Sequence, residues 1–141
     1  MKAINRGPEF RKKDPLATVP FLELDDGGTC ISESVAICRY FEELHPNPAL
    51  FGVDAKDRAM VEMWNRRVEF TVLQPIADAF RQRHDFFKGR IRQVPEYAEA
   101  QRLNGEGSLK WLDDELANRG YIAGNTTAQG RGHRTSLSVS P

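Results

Sequence analysis

The sequence is short of cysteine, of net charge and of long apolar runs. Its 141 residues include two cysteines, Cys30 and Cys38, too few for a disulfide framework and typical of a reducing compartment. Lys and Arg together number 20, as do Asp and Glu, so no overall field favours nucleic acid. No apolar run approaches the roughly 20 residues of a membrane-spanning helix, and the first residues lack the apolar core of a secretory signal. We expect a cytoplasmic globular protein without nucleic-acid or membrane partners.

Hydrophobic residues make up 40% of the chain, enough for the core of one domain or of two small ones. The apolar run Val19–Leu24 predicts a strand. Two aspartates and two glycines follow at 25–28, a strong hairpin turn signal, and residues 29–32 then read as a short returning strand. From Ser34 the apolar residues repeat at helical spacing. This helix should stop at His45, because the residue before a proline avoids the helical region.

The second half of the chain carries helix signals only. Asp54 can cap a long helix that runs to about Phe80, with Pro75 expected to kink it or end it early. Another helix should open near Pro95, a favoured first-turn residue, and end around residues 118–120.

Glycine content predicts a weakness in that last helix. Gly105 and Gly107 lower its propensity enough that we expect a break between them. Its inward-facing residues are expected to be Leu109, Leu112 and Leu116.

These elements give a fold class of α+β in the N-terminal half and all-α in the C-terminal half. We place a first domain at 1–45, a linker at 46–53 and a helical domain at 54–124. Residues 125–141 have few apolar residues and no period, so we expect them to be disordered.

The pair Glu33–Ser34 is the first candidate site. A serine at a helix start directs its hydroxyl and the first free N–H groups to one place, where the helix dipole adds positive potential. That arrangement suits a carboxylate or a phosphate. The structural alternative is that Ser34 only caps its own helix.

Val19–Pro20 is the second candidate. Pro20 has no N–H, whereas Val19 keeps an N–H and a C=O that an extended ligand could pair with, as an added strand would. The alternative is an ordinary strand start.

Other reactive residues offer less. The three histidines lie far apart in the sequence without metal-ligand spacing, so we expect no metal site. Cys30 has no basic residue forced beside it, and a buried inert thiol is the favoured interpretation.

Taken in order, the segments PEFRKKDPLATVPFLELDDGG, ISESVAICRYFEE, HPNPALFG and LDDELANRGYIAG resemble the cytosolic glutathione transferases, above all the bacterial ones. The resemblance implies a partial thioredoxin-like glutathione-binding half, an all-helical half and a homodimer. It implies glutathione as co-substrate and a small electrophile as the second substrate.

The same resemblance assigns roles to residues. It implies that Pro20 is cis, that the Val19 backbone pairs with the cysteinyl unit of glutathione, and that Glu33 and Ser34 hold the γ-glutamyl end. A basic residue of the segment PEFRKKDPL, which reads as a short helical turn or a loop, would meet the glycyl carboxylate. Lys13 is our choice, with Arg11 and Lys12 as alternatives.

The resemblance has departures. The family's first strand, first helix and second strand find no counterpart before Thr18, and with them the Tyr, Ser or Cys that activates the thiol. The family's later helices find none after Gly124, so we expect a chain cut at both ends by a broken or misread reading frame and of doubtful activity. Two alternatives stay open: a non-catalytic module of this fold that dimerises or binds a partner, and an isomerase or dehalogenase of the same superfamily.

Overall fold

A computed structural model of the chain describes residues 7–123. The chain divides into two compact units, Met1–Phe51 and Gly52–Pro141, each of which is described by itself. The predicted tail 125–141 lies outside the described residues. Within 7–123, no helix is long and apolar enough to cross a membrane.

The first unit holds a two-stranded sheet between two helices. In chain order its elements are α1 (Pro8–Lys13), β1 (Phe21–Glu23), β2 (Cys30–Ser32) and α2 (Ser34–Leu44). The strands pair antiparallel, with Phe21 opposite Ser32 and Glu23 opposite Cys30. The predicted hairpin and helix are confirmed, although the strands are shorter than expected.

Local chemistry explains each boundary in this unit. Gly27 and Gly28 close the hairpin with φ of 98° and 141°, values that only glycine adopts without strain. Helix α2 ends where its cap residue His45 leaves the helical conformation, with φ of −134° and ψ of 73°. Pro46 follows it, as the sequence predicts.

Within residues 52–123, the second unit contains helices and one isolated β-bridge between Lys88 and Ile91. It contains α3 (Ala55–Val68), a π-helical turn (Glu69–Leu73), α4 (Gln74–Arg83), a 3₁₀ turn (Asp85–Phe87) and α5 (Pro95–Leu116). The Asp54 side chain accepts the Asp57 N–H at 2.8 Å, which confirms the predicted cap. The order of an α+β half and an all-α half confirms the predicted fold class.

The predicted interruption of the long helix near Pro75 is confirmed, because α3 ends at Val68 and a π-helical turn, Glu69–Leu73, separates it from α4. Pro75 is the second residue of α4, and its missing N–H leaves the carbonyl four residues earlier without a helical partner. The π-helical turn before α4 accommodates this missing hydrogen bond. Such turns are common where a proline interrupts the hydrogen-bond pattern of a long helix.

A tryptophan pair joins the first and last helices of this unit. Trp64 of α3, 4% exposed, stacks on Trp111 of α5 with ring centroids 5.7 Å apart. The guanidinium groups of Arg67 and Arg119 lie 5.0 and 5.4 Å from the Trp64 ring. Both contacts are of the cation–π type, so Trp64 is enclosed by aromatic and cationic neighbours.

The predicted break in α5 is wrong, because α5 runs unbroken from Pro95 to Leu116. Gly105 is buried, and a Cβ added there would lie 3.1 Å from Ile76 Cγ1. The glycine therefore lets α4 and α5 approach closely, a packing gain that outweighs its low helix propensity. The inward prediction also fails for Leu109 and Leu116, which are 46% and 37% exposed.

The two α5 glycines form a matched pair for a stability test. Replacing Gly107 with Ala should raise the free energy of unfolding by about 0.8–1.0 kcal/mol, the propensity difference, since nothing lies within 4 Å of its added Cβ. Gly105→Ala should gain clearly less or lose stability, because Ile76 must move. Urea unfolding at 25 °C measures both variants, and equal gains would contradict the packing role of Gly105.

Candidate functional site

The predicted anion site lies at the start of α2. Its first hydrogen bond runs from the Ile37 N–H to the Glu33 carbonyl at 3.0 Å. The N–H groups of Ser34, Val35 and Ala36 therefore have no partner inside the helix. The N-cap residue is Glu33, whose side chain makes no cap bond, and Ser34 is the first residue of the helix. Three backbone amides and the Ser34 hydroxyl therefore lie at the N-terminus of α2, where the helix dipole produces a positive potential. The role of Ser34 as a ligand contact stays a prediction.

Glu33 connects β2 to α2 in an unusual backbone conformation. Its φ is 71° and its ψ is 118°, a region that side chains with a Cβ rarely adopt and that costs of order 1–3 kcal/mol. Such strain clusters at functional positions. Here it places an exposed carboxylate next to the free amides of Ser34 and Val35.

Val19 and Pro20 form the second predicted contact. The Val19–Pro20 peptide bond is cis, as the resemblance implies. The Val19 side chain is 69% exposed, and within residues 7–123 neither its N–H nor its C=O takes part in a hydrogen bond. Val19 directly precedes β1, so an extended ligand could pair with it beside the sheet.

A buried carboxylate holds the loop in front of Val19. Asp14 is 3% exposed. Its Oδ2 accepts the Thr18 N–H at 2.6 Å and the Thr18 hydroxyl at 2.9 Å, and its Oδ1 accepts the Leu16 N–H at 3.2 Å. These bonds from Thr18 lower the pKa of Asp14, against the opposing effect of burial and with help from nearby Arg11. Asp14 directly precedes Pro15, and an Asp before Pro in a loop is a turn signal.

The basic residues of α1 differ in their partners. Lys13 Nζ contacts both carboxylate oxygens of Glu23 at 2.5 Å, and this hydrogen bond raises the pKa of Lys13. Lys12 pairs with Glu9 at 2.8 Å. Arg11 donates to the Pro15 carbonyl at 3.3 Å and, among residues 7–123, has no carboxylate ion pair. The assignment of Lys13 to a ligand carboxylate stays a prediction. Arg11 differs from Lys12 and Lys13 in that it forms no ion pair with a carboxylate among residues 7–123.

Neither cysteine nor metal chemistry is assembled in the described region. Cys30 is half-buried and Cys38 is exposed, both as free thiols. Cys30 Sγ lies 3.5 Å from the Gly28 carbonyl. In residues 7–123 no three side chains of His, Cys, Asp or Glu lie together as metal ligands would.

The second unit contains a cavity of about 630 Å³. Its wall includes Trp64, Asp54, Asp57 and Arg119. Asp54 caps α3, Asp57 accepts the Val53 N–H at 3.1 Å, and Arg119 pairs with Glu115 at 2.7 Å. Asp54, Asp57 and Arg119 therefore already hold local structure and do not form a reactive group in this cavity.

Comparison with known proteins agrees with this geometry. Residues 2–49 match the family described as glutathione S-transferase, N-terminal domain. Glutathione S-transferase 2 of Saccharomyces cerevisiae is 33% identical over 130 residues, which are 89% of this chain and 54% of that protein. A crystal structure of a class Gtt2 glutathione S-transferase of Vibrio parahaemolyticus superposes with a TM-score of 0.72 at 38% identity, covering 89% of this chain and 56% of that one.

Sequence and fold together make this chain a member of the glutathione S-transferase family. The chain spans about half the length of the two transferases it was compared with. It is also 31% identical over 126 residues to elongation factor 1-gamma 3 of Oryza sativa subsp. japonica. The match covers 89% of this chain and 29% of that protein.

The Asp14 contacts predict an acid dependence of stability. The pKa of Asp14 is lower in the folded chain, so its ionised form stabilises the fold. That contribution is complete above the ordinary aspartate pKa of about 3.9 and is lost as the pH falls through the folded-state pKa. In Asp14→Asn, the free energy of unfolding should therefore fall less steeply between about pH 5 and pH 2.

The control for this experiment is Asp25→Asn, which removes an equal charge from an exposed position of the hairpin turn. Urea unfolding at several pH values compares the two variants with the unchanged chain. Equal slopes for both variants would contradict a specific role of Asp14.

Proposed function

We propose that the chain binds glutathione in the manner of a glutathione S-transferase and presents its thiol to a small electrophile. The observation that carries the proposal is that the first unit contains two sets of backbone groups without hydrogen-bond partners in the described residues. Among the described residues, the Val19 N–H and C=O beside β1 and the first three amides of α2 have no hydrogen-bond partner. Both are placed by residues of the matched N-terminal domain.

The chemistry of glutathione fits these sites. It is an extended tripeptide with a carboxylate at each end and an ammonium on its γ-glutamyl unit. The free amides and hydroxyl at Ser34 suit the γ-glutamyl carboxylate, since helix N-termini attract anions, and the Glu33 carboxylate suits the ammonium. Val19 would pair with the cysteinyl backbone as an added strand does, while Lys13, or Arg11 in its place, would meet the glycyl carboxylate.

In conjugation, the bound glutathione thiol loses its proton to solvent, the thiolate sulfur forms a bond to the electrophilic carbon, and the carbon–leaving group bond breaks with its electron pair going to the leaving group. The residues named here contribute positioning, which raises the effective concentration of the thiol. An assay with glutathione and a chlorodinitrobenzene tests this step, with the rate of chloride release as the measure of turnover. We still expect the protein to be a homodimer and to be located in the cytoplasm, by analogy with the family.

A second candidate is a non-catalytic module of the same fold. The match to elongation factor 1-gamma 3 over 89% of this chain favours it, because that relative is named for elongation and not for transfer. The turnover assay separates the candidates: a module would leave the reaction at its rate in buffer.

Replacing Ser34 with Ala tests the glutathione site. Ser34 is an exposed first residue of α2 and not its N-cap, so stability should change by less than about 0.5 kcal/mol. A hydrogen bond to a charged group contributes about 1.5–3 kcal/mol, so the dissociation constant for glutathione should rise by about tenfold or more. Titration of the isotope-labelled chain followed by NMR measures this constant even where binding is in the millimolar range.

Cys38→Ala is the matched control, since it also removes one polar atom from α2, one turn further on and at an exposed position. It should leave the dissociation constant unchanged within twofold. Equal affinity of the Ser34→Ala chain and the unchanged chain would reject Ser34 as a contact.

A further inference from the structure

Three consecutive amides of the loop before Val19 donate to one residue. The Leu16 N–H donates to Asp14 Oδ1 at 3.2 Å, the Ala17 N–H to the Asp14 carbonyl at 3.0 Å, and the Thr18 N–H to Asp14 Oδ2 at 2.6 Å. The next amide, that of Val19, has no acceptor within residues 7–123. Asp14 thus accepts the amides of Leu16, Ala17 and Thr18. The next amide, that of Val19, is the one that the proposed ligand would use.

Burial of apolar side chains does little to fix this loop. Leu16 is 72% exposed and Val19 is 69% exposed, so neither side chain anchors the segment by burial. Ala17 has φ of 56°, a left-handed conformation that is unfavourable for alanine and persists only when surrounding contacts impose it. Asp14 is the buried polar residue among those described, and its bonds supply that constraint.

We propose that Asp14 is a positioning residue for glutathione, whose carboxylate holds the loop 14–18 so that the Val19 backbone is aligned for the cysteinyl unit. The inference rests on the proposed function. Its physical basis is preorganisation: a loop that is ordered before binding does not lose conformational freedom when the ligand arrives. Asp14 itself need not touch the ligand.

The arrangement requires a carboxylate and not only a polar group. Its two oxygens receive three donors. An asparagine offers a single acceptor oxygen, and its NH₂ would face either the Leu16 N–H or the two donors of Thr18. Asp14→Asn should therefore loosen the loop while it preserves the size of the side chain.

The test is an NMR titration of the full 141-residue chain with reduced glutathione, following the amide signals of Val19 and Ser34. The unchanged chain should show saturable shifts at both. In Asp14→Asn the dissociation constant should rise by about tenfold. Asp26→Asn is the matched control, because Asp26 accepts the Gly28 and Thr29 amides in the hairpin turn; its constant should change by less than twofold.

A second ligand separates positioning from general loss of structure. γ-Glutamyl methylamide carries the γ-glutamyl end but no cysteinyl unit, so its affinity should be the same in the unchanged chain and in Asp14→Asn. Equal weakening of both ligands, or an unchanged glutathione constant in Asp14→Asn, would overturn the role of Asp14 alone. Absence of saturable shifts in the unchanged chain would overturn the proposed function, and this inference with it.

Thr18→Val covers the case in which Asp14→Asn does not fold. It removes only the hydroxyl donor to Asp14 Oδ2 and keeps the Thr18 amide bond. The glutathione constant should then rise by two- to fourfold with the γ-glutamyl methylamide constant unchanged. Identical glutathione constants in Thr18→Val and the unchanged chain would overturn the inference.

Discussion

Carboxylates that accept backbone amides hold the first unit in shape. Asp14 takes the amides of Leu16 and Thr18, Asp26 takes those of Gly28 and Thr29, and Glu42 takes those of Leu50 and Phe51 at 2.9–3.1 Å. Among residues 7–51 no apolar side chain is fully buried, so hydrophobic packing alone cannot fix these loops. Hydrogen bonds to ionised groups are stronger than neutral ones, which suits them to this task. The loops that carry the proposed contacts therefore depend on the ionisation of nearby acids.

The second unit is held differently, by close approach of helices. Helices α4 and α5 meet at Gly105, where the absent side chain admits Ile76, and an ion pair between Arg83 and Glu99 at 3.2 Å joins them at the surface. The stacked Trp64 and Trp111 rings fix α3 against α5. Packing of this kind tolerates few changes of volume, whereas the loops of the first unit tolerate few changes of hydrogen-bonding capacity.

This contrast explains what could be predicted from the sequence. The hairpin at Gly27–Gly28, the start of α2 and the Asp54 cap follow from local chemistry, and local chemistry is legible in a single sequence. The continuity of α5 and the exposure of Leu109 depend on which helix lies opposite, so propensity gave the wrong answer at Gly105. The candidate residues Val19 and Ser34 were predictable as types of site. Asp14 was not, because its three donors converge only after the loop has folded around it.

The contacts proposed for glutathione come mostly from the main chain: the N–H and C=O of Val19 and the first amides of α2. Such groups are present whatever the side chain, so overall identity is a poor guide to whether a relative keeps them. What decides is backbone conformation, set here by Asp14, by the left-handed Ala17 and by the strained Glu33. This is why similar identity to a transferase and to an elongation factor leaves the activity open. In this chain, a buried carboxylate, a left-handed alanine and a strained glutamate hold that backbone conformation, and the last two do so at a cost in stability.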